Sequence, residues 1–336
     1  MLGVSTLQPG QGRRFVGLAV LALLLFAASL LWGSVTIPPQ EVLRILTGDG
    51  GDPAWRTIVL DLRLPRALTA ACVGLALALS GLQMQTVFRN ALADPYILGL
   101  SAGASLGVAI VVLLGNGRQD VFMVGSLSGQ LALVVAAALG AGAVVALMLV
   151  VASRVRDAVI LLVLGVIVGS VVGALVTALV FFADVRRTRA FVEWGFGSFG
   201  RVTWRELAIL VPAVGLGALA AVAAIRPLNA LLLGENYARS LGVSVTGARC
   251  WILGSASLLA GATVAFAGPI GFLGIAVPHL ARAWMGTSEH GRLLPATALL
   301  GASFGLGCGL LSELPGSASQ FPVNAAAALL AGPVVF

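Results

Sequence analysis

The sequence predicts an all-α membrane protein, a single domain over residues 1–336 that forms a polytopic bundle of about ten transmembrane helices. The chain is 59% hydrophobic and only 10% charged, whereas soluble domains carry about 25% charged residues. Each membrane-spanning helix needs about 20 apolar residues, so the hydrophobic content fills about ten of them. Unbroken runs such as FVGLAVLALLLFAASLLWG exclude the alternating strands of a membrane barrel.

The apolar segments follow one another with short connections. The first comes after Arg13 and Arg14 but lacks a clear small-residue cleavage site, so we expect an uncleaved first helix. The segment IPPQEVLRILTG after it predicts a short amphipathic helix at the membrane surface. Glycines spaced four residues apart at 99–107 and 165–173 predict close helix packing. The expected spans are 15–34, 66–86, 96–114, 127–152, 158–182, 206–225, 249–267, 270–285, 293–311 and 322–336.

The net charge is +7, and every one of the twenty basic residues is an arginine. These arginines are scattered through the short loops, which argues against a nucleic-acid surface. With the N-terminus inside, they divide equally between the two sides of the membrane, so the positive-inside rule cannot orient the chain. The three cysteines lie in apolar runs without metal-ligand spacing, and no metal site is expected.

Several enzyme classes are excluded by missing residue types. A phosphate-binding loop requires a lysine, so any ATP hydrolysis must come from a separate subunit. The stretch GLSAG matches the nucleophile-elbow pattern around Ser101, but that pattern requires a strand before the serine and a histidine base. The middles of the predicted spans carry almost no charged residues, which argues against an ion-coupled transporter. An ATP-independent transporter or channel remains the alternative to an ATP-driven one.

Four polar or glycine-rich stretches interrupt the apolar pattern: RLPR at 63–66, RNALADP at 89–95, LGENYARSLGV at 233–243 and GFLGIAVPHLAR at 271–282. In this order and spacing, they resemble the FecCD-type permease subunits of ABC importers for iron-siderophores, haem and vitamin B12. The resemblance covers residues from about 58 to 336 and implies a type II importer permease. This family fold has about ten helices and both termini in the cytoplasm.

The resemblance also implies partners and a location. A second permease subunit, identical or paired, would complete the transport path in a bacterial inner membrane. Two ATPase subunits would bind ATP and magnesium below it, so this chain would itself be no enzyme and bind no cofactor. A periplasmic or lipid-anchored binding protein would deliver the substrate, with a ferric siderophore expected first, then haem, then vitamin B12.

Particular residues acquire expected roles from the same resemblance. Asn90 and Leu92 are expected at the cytoplasmic gate, although this chain has Ala91 where the family usually has proline. The alternative is a plain solvated turn. The segment RPLNALLLGENYARSLGVSV is expected to contact the ATPase or, alternatively, to lie on the lipid surface. Its expected contact residues include four apolar knobs, two helix-breaking glycines and one acid: Leu228, Leu231, Leu232, Leu241, Gly234, Gly242 and Glu235.

On the outer side, Arg63 and Arg66 match the pair of arginines that in similar importers bind acidic residues of the binding protein. Anchoring to lipid head groups is the alternative role for such arginines. Glu313 stands where the family carries a third basic residue. We therefore expect Glu313 to meet a basic residue on the binding protein.

Overall fold

The computed structural model describes residues 11–48, 51–114, 127–155, 157–313 and 321–335. Within these ranges the fold is helical, and the helices are α1 Gln11–Leu31, α2 Pro39–Thr47, α3 Pro53–Thr57, α4 Leu64–Phe88, α5 Leu100–Leu114, α6 Leu127–Arg154, α7 Ala158–Phe181, α8 Val185–Gly195, α9 Trp204–Ala223, α10 Ile225–Leu232, α11 Glu235–Ser240, α12 Val245–Ala267, α13 Leu273–Met285, α14 His290–Ser312 and α15 Val323–Val335. A π-helical turn, Ile58–Arg63, leads into α4, and a 3₁₀ turn, Pro95–Leu98, precedes α5.

Every predicted span overlaps a helix of the structure. In the described ranges, seven helices are long and apolar enough to cross a membrane: α1, the segment that ends with α4, α6, α7, α9, α12 and α14. The shorter helices α5, α13 and α15 account for the other three predicted spans. The all-helical membrane fold is therefore confirmed, and α2 confirms the predicted short amphipathic helix.

The bundle has two ends, which we name by the segments that meet there. The lower end contains residues 89–94, 225–243 and 286–290, because Thr86 contacts His290 and His290 contacts Asn229. The upper end contains residues 32–38, 183–204 and 313, because the Trp32 indole donates to the Glu313 carbonyl. Helix α4 runs from the upper end to the lower end, and α14 runs back beside it.

Helix α4 is the central element of the bundle. Of its most apolar window, 78% is buried inside the chain, compared with 11% for α1 and for α7. Its closest neighbour is α14, where Gly74 faces Gly301 and Gly305 so tightly that a Cβ on Gly74 would overlap the Gly301 carbonyl oxygen. On another side, a Cβ on Gly81 would overlap the carbonyl of Gly274 in α13. Glycine therefore lets three backbones touch directly.

The glycines at 99–107 and 165–173 have different surroundings. Gly103 and Gly107 lie against the backbone of α6 at Gly140 and Ala136, which confirms the predicted close packing for α5. Gly169 of α7 packs against Gly99, at 3.3 Å from the ideal Cβ position to its Cα. Among the described residues beyond its own helix turn, none comes within 4 Å of a Cβ on Gly173. The surface of α7 at Gly173 is therefore left open to lipid or to another subunit.

The close contact between α4 and α14 predicts that a methyl group added at Gly74 lowers the stability of the protein. We expect Gly74→Ala to lower stability by ~1–3 kcal/mol, because the added methyl group must displace the α14 backbone. Gly142→Ala is the matched control, since nothing lies within 4 Å of a Cβ at that helical position. That control should keep or raise stability, because alanine favours a helix by about 1 kcal/mol over glycine. Thermal unfolding in detergent measures both variants, and equal melting temperatures would contradict the packing argument.

Candidate functional site

The predicted gate residues lie in the turn that ends α4. Arg89 caps the helix in the left-handed conformation, with φ of 49°. The Asn90 side-chain oxygen accepts the Leu92 backbone N–H at 2.9 Å, and the Asn90 carbonyl accepts from Ala93 at 3.1 Å. These bonds hold the turn without the family's proline. They leave the Leu92 side chain 57% exposed at the lower end, where a second chain can contact it.

The turn is anchored behind Leu92 by Asp94. This buried carboxylate accepts the Tyr96 backbone N–H at 2.8 Å and so begins the 3₁₀ turn. Burial raises the pKa of Asp94 to about 6, and the Tyr96 hydrogen bond partly opposes this shift. The other side of the carboxylate faces α13, since a Cβ on Gly274 would lie 3.0 Å from Oδ2. The gate turn is therefore attached to the backbone of α13.

The predicted ATPase-contact segment forms two short helices at the lower end, α10 and α11. Gly234 separates them with φ of 108°, and Gly242 ends the segment with φ of 79°. Both values are in the left-handed region that glycine adopts without strain, which explains glycine at the two breaks. The Glu235 carboxylate at the start of α11 accepts from Arg249 at 2.5 Å and from Arg239 at 3.2 Å. Glu235 thus fixes α11 to the start of α12.

Burial divides the four predicted apolar knobs into two pairs. Leu228 is 0% exposed and Leu231 is 6% exposed, so both pack into the chain's own core and the expectation that they are exposed is wrong. The amphipathic period of α10 places them on its inner face. Leu232 and Leu241 are exposed, the latter by 58%. The residues that the sequence analysis missed on this surface are Leu233 and Tyr237, which are also exposed.

At the upper end, Arg63 is 5% exposed, and its side chain forms hydrogen bonds within the chain. Its guanidinium donates to the carbonyls of Leu30 and Leu31 at 2.8 and 3.1 Å, and also to the Val35 carbonyl. These three carbonyls end α1 and begin the connection to α2. Since a helix leaves its last carbonyls without intrahelical partners, Arg63 satisfies the end of α1. The docking role expected for Arg63 stays a prediction, and its guanidinium already has three partners within the chain.

Arg66 and Glu313 form an ion pair between the start of α4 and the end of α14. Both side chains are largely buried, at 17% and 15% exposed respectively. Burial raises the pKa of the Glu313 carboxyl, while the nearby Arg66 and Arg63 guanidinium groups oppose that shift. Glu313 therefore faces a basic residue within its own chain. The rest of the loop that follows it, 314–320, lies outside the described residues.

The structure also brings together polar residues that the sequence analysis did not select. Thr86, Asn229 and His290 come from three different helices and meet at the lower end. Thr86 ends a predicted span, whereas Asn229 and His290 lie in the connections next to two other spans. The only sequence signal was these positions, because residues separated by 61 and 204 positions give no local pattern.

The nucleophile-elbow motif noted in the sequence does not have the required geometry in the structure. Ser101 lies in the first turn of α5 and follows a 3₁₀ turn, whereas a nucleophile elbow requires a preceding strand. Across 11–48, 51–114, 127–155, 157–313 and 321–335, no group of three or more His, Cys, Asp or Glu residues is placed to hold a metal ion. The candidate functional residues described above therefore lie at the two ends of the bundle.

Comparison with known proteins agrees with this arrangement. The FecCD transport family matches residues 21–336. The chain is 36% identical over 335 residues to the vitamin B12 import system permease protein BtuC of Klebsiella pneumoniae, covering 99% of this chain and 96% of that protein. The protein of the same name from Escherichia coli O157:H7 is 35% identical, with 99% and 97% covered. A solved structure of an inward-facing metal-chelate type ABC transporter superimposes with a TM-score of 0.82, at 28% identity, covering 96% of this chain and 97% of that one.

The helical membrane fold and these likenesses define the class of the protein. It is a multi-pass permease subunit of the ABC importer type, located in the bacterial inner membrane. More particularly, the chain belongs to the FecCD transport family, whose model matches almost its whole length.

Proposed function

We propose that this chain forms the membrane path of an ATP-driven importer for a metal chelate, working as a dimer with two ATPase subunits and a substrate-binding protein. The observation that carries this proposal is an exposed apolar surface at the lower end, beside the gate turn. Because the sequence lacks lysine, it has no phosphate loop, and ATP with magnesium would bind to the ATPase subunits.

The apolar surface is formed by Leu232, Leu233, Tyr237 and Leu241, which we call the coupling surface. It projects from two short helices that are too short to span a membrane. Exposed apolar residues grouped on a loop favour a protein partner. The adjacent Glu235–Arg249 pair makes the surface rigid enough to transmit movement to α12. An ATPase subunit is the partner that an ABC importer permease requires on its cytoplasmic side.

The gate proposal concerns the same end. Leu92 projects from a turn fixed by Asn90 and Asp94, and an exposed leucine next to a twofold axis can close a path by meeting its own copy. Asn90 positions that leucine through its side-chain bond to the Leu92 N–H. In this proposal Asn90 sets the turn and Leu92 forms the contact.

Docking of the binding protein would occur at the upper end. Arg66 remains the principal docking residue in the proposal, because it lines a small cleft together with Arg63, Ala70, Gly309 and Glu313. Glu313 already neutralises it, so an incoming acidic residue would compete with Glu313 or share the guanidinium. Arg63 supports this site by donating a hydrogen bond to a carbonyl at the end of α1.

Two lines of argument bear on the cargo. The exposed Arg186 of α8 favours a chelate with negative charge, as many ferric siderophores carry, over uncharged cyanocobalamin, while Arg189 on the same helix is paired with Glu193. The relatives reported above are vitamin B12 permeases, which favours a cobalt corrinoid. A ferric siderophore is our first candidate and vitamin B12 the second.

The coupling surface can be tested by charge insertion. We expect Leu241→Asp to reduce co-purification of the importer's ATPase subunit by at least about tenfold, because a carboxylate would be buried without a partner. Leu241→Met is the matched control, since it keeps the apolar area. Unchanged ATPase recovery with Leu241→Asp, in a permease that inserts normally, would contradict the proposal.

The docking proposal predicts that removing the Arg66 charge lowers the affinity for the binding protein, by an amount that depends on salt. We expect Arg66→Gln to weaken binding of the binding protein about tenfold at low salt, with a smaller effect at high salt, because charge pairs at such a rim mainly steer association. Glu313→Gln should keep or strengthen binding, since it removes the competing carboxylate. Titration of the binding protein onto the permease complex in nanodiscs measures both. Equal affinities for Arg66→Gln and wild type would reject the role of Arg66.

The cargo is decided by uptake into proteoliposomes that contain the assembled importer and its binding protein. We expect ATP-dependent accumulation of a radiolabelled anionic ferric siderophore, and none of radiolabelled cyanocobalamin. Omission of ATP is the control, because the alternative, an ATP-independent transporter, would accumulate cargo without it. Uptake of cyanocobalamin alone would replace the first candidate by the second.

A further inference from the structure

A continuous line of polar side chains joins α10, α14 and α4 at the lower end. The Asn229 side-chain oxygen lies 2.8 Å from His290 Nδ1 and also accepts the His290 backbone N–H at 2.8 Å. On the other face of the ring, His290 Nε2 lies 2.9 Å from the Thr86 hydroxyl. His290 and Thr86 are 1% and 3% exposed. Their positions inside the protein make these bonds costly to lose.

The direction of the Asn229–His290 bond follows from donor and acceptor chemistry. The Asn229 amide nitrogen donates to Glu289 at 3.0 Å, which places the Asn229 oxygen toward the histidine. An amide oxygen only accepts, so His290 Nδ1 must carry a proton. The Thr86 hydroxyl lies 2.9 Å from His290 Nε2 and also donates to the Leu82 carbonyl at 2.9 Å, so its single proton serves two acceptors. The direction of the Asn229–His290 bond is therefore fixed, and the His290–Thr86 contact completes the connection from α14 to α4.

The line ends at the residue that terminates α4. The Thr86 carbonyl accepts the Arg89 N–H at 3.4 Å, and Arg89 is the left-handed residue from which the gate turn begins. A second contact runs in parallel, because the Arg89 guanidinium lies 3.7 Å from the position of a Cβ on Gly234, the break between α10 and α11. The coupling helices and the gate turn are thus attached to the same turn of α4.

We infer that Asn229, His290 and Thr86 are positioning residues that transmit movement of the coupling helices to the gate turn. This inference rests on the proposed function of both segments. A displacement of α10 that left α4 behind would separate buried polar groups from their partners, which is unfavourable away from water. Movement of α10 therefore carries the end of α4, and with it Asn90 and Leu92.

The test uses the assembled importer, with its ATPase and binding-protein partners, in nanodiscs. Leu92→Cys is introduced in a background that lacks Cys72, Cys250 and Cys308, and disulfide formation is compared between the nucleotide-free state and the ATP–vanadate state. A disulfide requires Cα atoms within about 7 Å, so its yield reports closure of the turn. Thr86→Val removes the hydroxyl with little change in shape, and Thr86→Ser is the control that keeps it.

We expect the nucleotide-dependent change in cross-linking to fall about tenfold in Thr86→Val and in Asn229→Ala, the size expected for one lost buried hydrogen bond. Thr86→Ser should behave as wild type. The double variant should be no worse than either single variant, because both interrupt one line. A purely structural role would reduce the amount of complex and leave the nucleotide-dependent change intact in what remains.

The outcomes separate this inference from the proposed function. The inference alone would be overturned if Thr86→Val and Asn229→Ala kept the nucleotide-dependent change in cross-linking within about twofold of wild type, with the ATPase still bound. Loss of the ATPase is monitored in the same samples, with Leu241→Asp as the reference for failed coupling. If the wild type itself gave no nucleotide-dependent cross-linking, the gate proposal, and this inference with it, would be rejected.

Discussion

Direct contact between the backbone of α4 and its neighbours is the constraint on which the arrangement of both ends depends. Membrane helices gain little from burying apolar side chains, since lipid is equally apolar, so close packing must supply the attraction. Gly74 against Gly301, and Gly81 against Gly274, supply it here. Because α4 is held along its whole length, its first turn places Arg66 beside Glu313 and its last turn places Thr86 beside His290. One rigid helix thereby connects the proposed docking and gating regions.

The two ends use polar residues in different ways. At the upper end, arginine side chains satisfy carbonyls and a carboxylate near the end of neighbouring helices, as Arg63 does for Leu30 and Leu31. At the lower end, hydrogen bonds among Asn229, His290 and Thr86 join three helices, and the Glu235–Arg249 ion pair joins α11 to α12. Buried ion pairs require their full set of partners, so this pair holds α11 and the start of α12 in one arrangement. The lower end thus connects five helices through their side chains.

The sequence predicted the fold closely, because the location of membrane helices depends on runs of apolar residues, which are local. Even the short helix α13 lies within the predicted span 270–285. Exposure within α10 was predicted less well. Leu228 and Leu231 are as apolar as Leu232, and only the packing of the helix decides which of them is buried. The contacts of His290 could not be predicted at all, since Asn229 and Thr86 lie far away in sequence.

The motif RLPR illustrates how one stretch can carry two separate physical roles. A proline within the first turn of α4 continues the helix without losing a needed N–H group. Arg63 and Arg66, three residues apart, therefore begin on one side of the helix. Arg63 reaches back to the end of α1, whereas Arg66 reaches toward the end of α14. The first arginine fixes the end of α1, and the second, paired with Glu313, is the one to which the docking proposal applies. Two identical side chains in one motif thus differ in role because their surroundings differ.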